Sequence, residues 1–257
     1  MNQRNQRLYV LGAIALAGGL ATQAKADISY TISDASLEVA EVQFQGNDYN
    51  VLAGGIGITA NGPTGGAPSS YVSVCTDFNG SLYLGSSYTY HAPIPTANAL
   101  TTPGYSPDPS WGVNASAAIQ NAATLFANYS SALTSGNYDA AAGLQLAIWT
   151  VLYDSTGVGV VNAVAGAEFL GVSNPSDAAA IVDMNNYLAA LSGLTPSDNV
   201  GIFTPSPDNS QGNPDGNPPQ GLLIYAPVPE ASTVVTATLL LLSFGVCSLK
   251  SFGKFRA

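Results

Sequence analysis

Between Asp27 and Leu249 the chain has no lysine and no arginine, while all sixteen of its Asp and Glu residues lie in that stretch. A surface so acidic repels nucleic acid and anionic lipid and offers no basic side chains for phosphate recognition. Nucleic acid is therefore not an expected partner. Histidine is almost absent too: His91, close to Pro93, is the only one, too few for a zinc site built on several histidines or for a Ser-His-Asp triad. It reads as a surface residue. Cysteine is equally scarce. Of two, Cys247 lies inside a C-terminal apolar segment, which leaves Cys75 without an intramolecular disulfide partner in any exported part of the chain.

The six basic residues mark the two ends. Arg4 and Arg7 precede an apolar run from Leu8 to Leu20, and Ala24-Lys25-Ala26 fits a small-x-small cleavage site, so residues 1–26 read as a secretory signal with the mature chain starting at Asp27. At the other end Val228-Pro229-Glu230-Ala231-Ser232 leads into an apolar stretch, Thr233 to Leu249, closed by Lys250, Lys254 and Arg256. That stretch falls slightly short of the roughly 20 residues that span a bilayer comfortably, which suits a temporary stop better than a permanent anchor. The basic end after it should stay in the cytoplasm. A short Pro-Glu motif, one transmembrane helix (233–249) and a basic terminus resemble the PEP-CTERM sorting signal of Gram-negative bacteria, here over 227–257. The resemblance implies export, transient anchoring in the inner membrane, removal of the tail by a dedicated membrane protease, and delivery to the cell surface or extracellular matrix. An ordinary C-terminal anchor is the alternative.

About 200 residues remain between the signals, enough for one domain with a real core. From Asp27 to Tyr90 the pattern is mostly strand: Ile28, Tyr30 and Ile32 alternate with polar neighbours, and breaks such as Gly46-Asn47-Asp48 and Asn61-Gly62-Pro63 separate the runs. Five prolines between Pro93 and Pro109 predict an extended loop. Three helical patterns follow. The first runs from Asn114 to Tyr129, with Asn114 or Ser116 as N-cap; the second from Ala140 to Tyr153, with Asp139 as N-cap; the third after Ser176, with Ile181, Met184, Leu188 and Leu191 on one face and Gly193 as a stop. Residues 204–220 read as a flexible loop rich in Pro, Asn, Gly and Asp, and Leu222 to Ala226 as a last strand. The prediction is an α+β domain over 27–226, an antiparallel β-sheet sandwich or barrel with a three-helix insertion.

Two polar residues in apolar settings stand out. In Tyr71-Val72-Ser73-Val74-Cys75-Thr76-Asp77-Phe78, period-two alternation puts Val72, Val74 and Phe78 on one face and Cys75 with Asp77 on the other. The second helix is apolar nearly all round, with Gln145 the only polar side chain between Ala140 and Trp149, so it must be buried. Such a helix is a natural cover for the Cys75 face. A buried carboxamide without a partner costs on the order of 1–3 kcal/mol. Attack of the Cys75 sulfur on the Gln145 amide carbon would release ammonia and leave a thioester, which burial shields from water. An incoming amine or hydroxyl would open it and end attached to residue 145. Two plainer readings stay open: a small buried cysteine, and a glutamine that satisfies main-chain groups.

Val74-Cys75-Thr76-Asp77 and Leu144-Gln145-Leu146-Ala147-Ile148-Trp149, followed by Tyr153-Asp154, resemble the bacterial thioester domains, surface adhesins with an internal Cys-Gln thioester. Gly85-Ser86-Ser87-Tyr88-Thr89-Tyr90 also looks like the segment that follows the cysteine in PEP-CTERM members. The resemblance spans most of Tyr71 to Asp154. It implies that Cys75 supplies the sulfur, Gln145 the acyl group, and Trp149 motif packing, with Asp77 and Asp154 as supporting residues that fix the strand and the helix end by hydrogen bonds. The implied activity is single-use covalent attachment to an amine- or hydroxyl-bearing surface or matrix ligand, without turnover and without a cofactor. The missing lysines fit, because a domain without them cannot attack its own thioester through a side-chain amine.

The competing function is a non-covalent structural or carbohydrate-binding component of an extracellular polysaccharide matrix. Thirteen tyrosines could present aromatic faces to sugars, although packing in a β-sheet is their commoner use. Asp208, Asn213, Asp215 and Asn217 lack the order of an EF-hand loop, so no metal is expected there. No motif selects a carboxylate pair for glycoside cleavage.

Overall fold

Among the described residues seven strands, all paired antiparallel, form one sheet in the order β4-β1-β2-β3-β7-β6-β5. They are β1 (Ile28–Phe44), β2 (Asn47–Ala60), β3 (Ser70–Cys75), β4 (Ser87–Tyr90), β5 (Ile94–Pro95), β6 (Val200–Phe203) and β7 (Leu222–Tyr225). The computed structural model describes residues 27–44, 47–61, 70–77, 80–91, 93–101, 115–153, 178–197, 199–206 and 219–225. The expected signal (1–26), the sorting segment (227–257) and Asp154 lie outside them. Among the described residues no helix is long and apolar enough to cross a membrane.

The sheet curls because its two flanks meet. β1 and β2 form a long hairpin, Phe44 opposite Asn47, with a register shift between Asp34 and Ser36 that raises local twist. At one flank β4 touches the chain just past β6: Tyr90 bridges Pro205, His91 N–H donates to the Thr204 carbonyl at 3.0 Å, and Ser206 N–H donates to that of Thr89 at 2.9 Å. The result is a half-barrel. Asp27 fastens this seam, its carboxylate lying 2.7 Å from His91 Nδ1 and accepting from the Ser206 hydroxyl at 3.0 Å. Inside, rings from four strands meet: Phe203 lies 5.1 Å from Tyr30, 5.6 Å from Tyr71 and 5.6 Å from Tyr90 between centroids.

Among the described residues three α-helices accompany the sheet: α1 (Ala115–Tyr129), α2 (Tyr138–Tyr153) and α3 (Ala178–Ala190). The predicted α+β class, an antiparallel sheet with a helical insertion, is what the chain adopts. Every residue of α2 from Ala141 to Tyr153 is buried, as its apolar circumference requires. Its cap is Asn137 rather than Asp139: the Asn137 side-chain oxygen accepts from Ala140 N–H at 3.2 Å, so the helix begins a half-turn earlier than its apolar pattern. Gly143 sits where α2 meets α3, with a Cβ there falling 2.7 Å from the Ala180 carbonyl oxygen.

Two loop expectations give way in part. Ile94 and Pro95 pair with Ile202 and Gly201, and Thr96–Thr101 forms a 3-10 helix. Pro95 is tolerated because β5 is an edge strand that needs no further donor. The remainder of both predicted loops, 102–109 and 207–218, lies outside the described residues, but Thr204 to Ser206 belong to the seam and Gln220 to the site described next.

Candidate functional site

Cys75 closes β3 at a place where two neighbours part. β2 last pairs with β3 at Ser73, opposite Ile56, while β7 runs on beside Val74 and Cys75. Successive main-chain groups of a strand point to opposite sides. Thr76 N–H points to β7, donating to the Gly221 carbonyl at 2.9 Å, so the N–H and C=O of Cys75 face the side that β2 has left.

Gln145 takes that place. Its Oε1 accepts from Cys75 N–H at 2.8 Å and its Nε2 donates to the Cys75 carbonyl at 2.9 Å. The carboxamide thus stands in for a missing strand, and both residues are buried, Cys75 to 3% and Gln145 to 1% exposure. The expected meeting of strand and helix is present, yet the contact runs through the Cys75 main chain. Its side chain shares the face of Tyr71, whose ring belongs to the interior cluster.

The sulfur meets a different glutamine. Cys75 Sγ donates to Gln220 Oε1 at 2.5 Å. Sequence reasoning assigned Gln220 to a loop and missed it; the available signal was a polar side chain two residues before an apolar strand, but which strand pairs with which is a non-local matter. Gln220 is half-buried, so the sulfur lies directly beneath a residue that reaches the surface.

Asp77 and Tyr90 surround this contact. Asp77 Oδ2 accepts from Gly221 N–H at 2.5 Å and Oδ1 from Gly80 N–H at 2.9 Å. The Tyr90 hydroxyl donates to the Gln220 carbonyl at 3.1 Å. Burial first, and then the Asp77 charge, pushes the Cys75 thiol well above its ordinary range, so the sulfur keeps its proton at neutral pH. Tyr90 is raised likewise, by burial, then by Cys75, Asp77 and Tyr88. Trp149 is buried one turn beyond Gln145. His91, expected at the surface, is partly buried against Asp27. Among the described residues no group of three His, Cys, Asp or Glu side chains could hold a metal ion.

Compared with known proteins, the chain matches no family, no curated sequence and no solved structure.

Proposed function

We propose that the domain is an exported attachment module that stores an internal thioester on Cys75 and spends it once on an amine or hydroxyl of a surface or matrix ligand. The observation that carries this reading is the buried thiol set against a side-chain amide. The Cys75 sulfur is in direct contact with the Gln220 side-chain oxygen, which brings thiol and carboxamide together in one buried place.

The same geometry favours Gln220 over Gln145 as acyl donor. Both polar atoms of the Gln145 amide are committed to the Cys75 main chain, whereas the Gln220 amide faces the sulfur. In the forming step a bond joins Sγ to the Gln220 Cδ, the Cδ–Nε2 bond breaks, and the thiol proton leaves with the nitrogen as ammonia. In the opening step an amine nitrogen or hydroxyl oxygen bonds to Cδ and the thiol is regenerated. The signal-like start, the sorting-like end and the acidic, lysine-free span supply the setting: an inner-membrane precursor processed by a sorting protease, then display at the cell surface or in the matrix.

A second reading has its own observation. The Gln145 amide completes a strand edge, which a non-covalent matrix scaffold would need just as much. The intact mass of the wild-type chain separates the two. A chain lighter by one ammonia, restored to full mass by Cys75→Ala and carrying a methylamine adduct after treatment with that amine, supports attachment; peptide mapping of the adduct to residue 220 or 145 identifies the acyl donor. An unmodified mass with a titratable thiol would overturn the covalent reading.

A further inference from the structure

Resting on the thioester reading, the geometry points to Asp77 and Tyr90 as positioning residues that hold the acyl donor Gln220 against the sulfur. They grip one peptide unit from both ends. The Gln220 carbonyl accepts from Tyr90 O–H at 3.1 Å, and the N–H at the other end of the same peptide, that of Gly221, donates to Asp77 Oδ2 at 2.5 Å. The carbonyl of Gly221 is itself fixed by Thr76 N–H. The main chain carrying Gln220 therefore cannot rotate without breaking several bonds, so the direction in which its side chain leaves the backbone is fixed.

Each gripping group is anchored in turn. Tyr90 is fully buried, its ring stacked on Phe203 at 5.6 Å and 29°. Asp77 spends its second oxygen on Gly80 N–H. Gly80 is also the wall along which the Gln220 side chain passes: a Cβ there would fall 2.8 Å from Gln220 Cγ and 2.9 Å from its Cα. With both oxygens receiving main-chain N–H groups, Asp77 is badly placed to take a proton from the thiol. Its work is orientation. Orientation decides the rate of such a step, since a misplacement of about 1 Å can cost on the order of a hundredfold.

The test follows the loss of ammonia by mass when the full-length chain, purified unfolded, is returned to native buffer with detergent. Tyr90→Phe keeps the ring and deletes only the hydroxyl; it should slow thioester formation by roughly three- to tenfold, the value of one hydrogen bond, with the thermal midpoint little changed. Asp77→Asn loses a charge-assisted bond and should slow it by about tenfold or more. Because both act on one peptide, the double variant should be slowed by less than the product of the two. Gly80→Ala, whose Cβ would stand 2.6 Å from Asp77 Oδ1 and 2.8 Å from Gln220 Cγ, disturbs the carboxylate and the acyl donor together; it should also reduce the rate and provides a second route should Asp77→Asn fail to fold. Folded variants that lose ammonia at the wild-type rate would overturn the positioning role while leaving the thioester intact. A wild-type chain that never loses ammonia would instead sink the thioester reading itself.

Discussion

The carboxamide of Gln145 and the main chain of Cys75 close a ring of two hydrogen bonds, 2.8 and 2.9 Å long, in the position a neighbouring strand would occupy. The ring explains why the otherwise apolar stretch from Ala140 to Trp149 carries one glutamine. Without it a buried N–H and a buried C=O would both go unpaired.

Gln145→Ala should therefore destabilise the domain by about 2–5 kcal/mol, since each stranded buried group costs about 1–3 kcal/mol. Gln145→Glu adds a pH signature. One carboxyl oxygen can still accept from Cys75 N–H, but the other must be protonated to donate to the carbonyl. Burial and that carbonyl favour the neutral acid, so its folded pKa is raised above the unfolded value near 4.3. The variant's stability is then fully present below about pH 4 and lost as pH rises through the raised value. Urea unfolding of both variants between pH 4 and pH 8 measures this; a Gln145→Glu stability curve parallel to wild type would contradict the ring.

Tyr30, Tyr71, Tyr90 and Tyr187 have hydroxyls raised by burial above the ordinary tyrosine range, and the Cys75 thiol is raised in the same way. In each case the folded state holds its proton more tightly than the unfolded chain. These groups should thus add no pH dependence below about pH 8, and stability should fall as pH passes the unfolded thiol near 8.5 and more steeply past unfolded tyrosine near 10. In molecules carrying the thioester the first part of the fall should be missing, because no thiol titrates. Denaturant midpoints of wild type and Cys75→Ala from pH 7 to pH 11 test the sign and separate the two contributions.

What the sequence disclosed was local. The period-two runs gave β1 and β3, and the helical spacing of Met184, Leu188 and Leu191 gave α3, with Leu191 falling in the 3-10 turn Leu191–Gly193 that ends it. Cys75 and Gln145 could be singled out because each is the polar exception in an apolar element. β6 escaped because Val200–Phe203 is buried throughout, without alternation, and four residues are too few for a burial pattern to separate strand from loop. Gln220 escaped for another reason. It reaches the sulfur only because β7 pairs with β3, Cys75 opposite Leu222, across a separation of 145 residues, and no local pattern encodes that register.

The α2–α3 crossing offers a test of how tightly the helix bearing Gln145 is held. A Cβ on Gly143 would stand 2.7 Å from the Ala180 oxygen, 2.8 Å from Asp183 Cβ and 2.9 Å from Met184 N. Two of those atoms are main chain, so the clash cannot be relieved by turning a side chain. Gly143→Ala gains about 1 kcal/mol of helix propensity but must push the helices apart, at a typical overpacking cost of about 1–3 kcal/mol. The net should be a loss. Gly193→Ala, where a Cβ meets nothing within 4 Å, should change stability by no more than about 0.5 kcal/mol. Because Gly143 lies two residues before Gln145, displacement of α2 should also strain the ring on Cys75, exposing its amide to hydrogen exchange faster than in Gly193→Ala. Equal unfolding midpoints and equal exchange in the two variants would show that α2 moves freely against α3, contrary to the packing described.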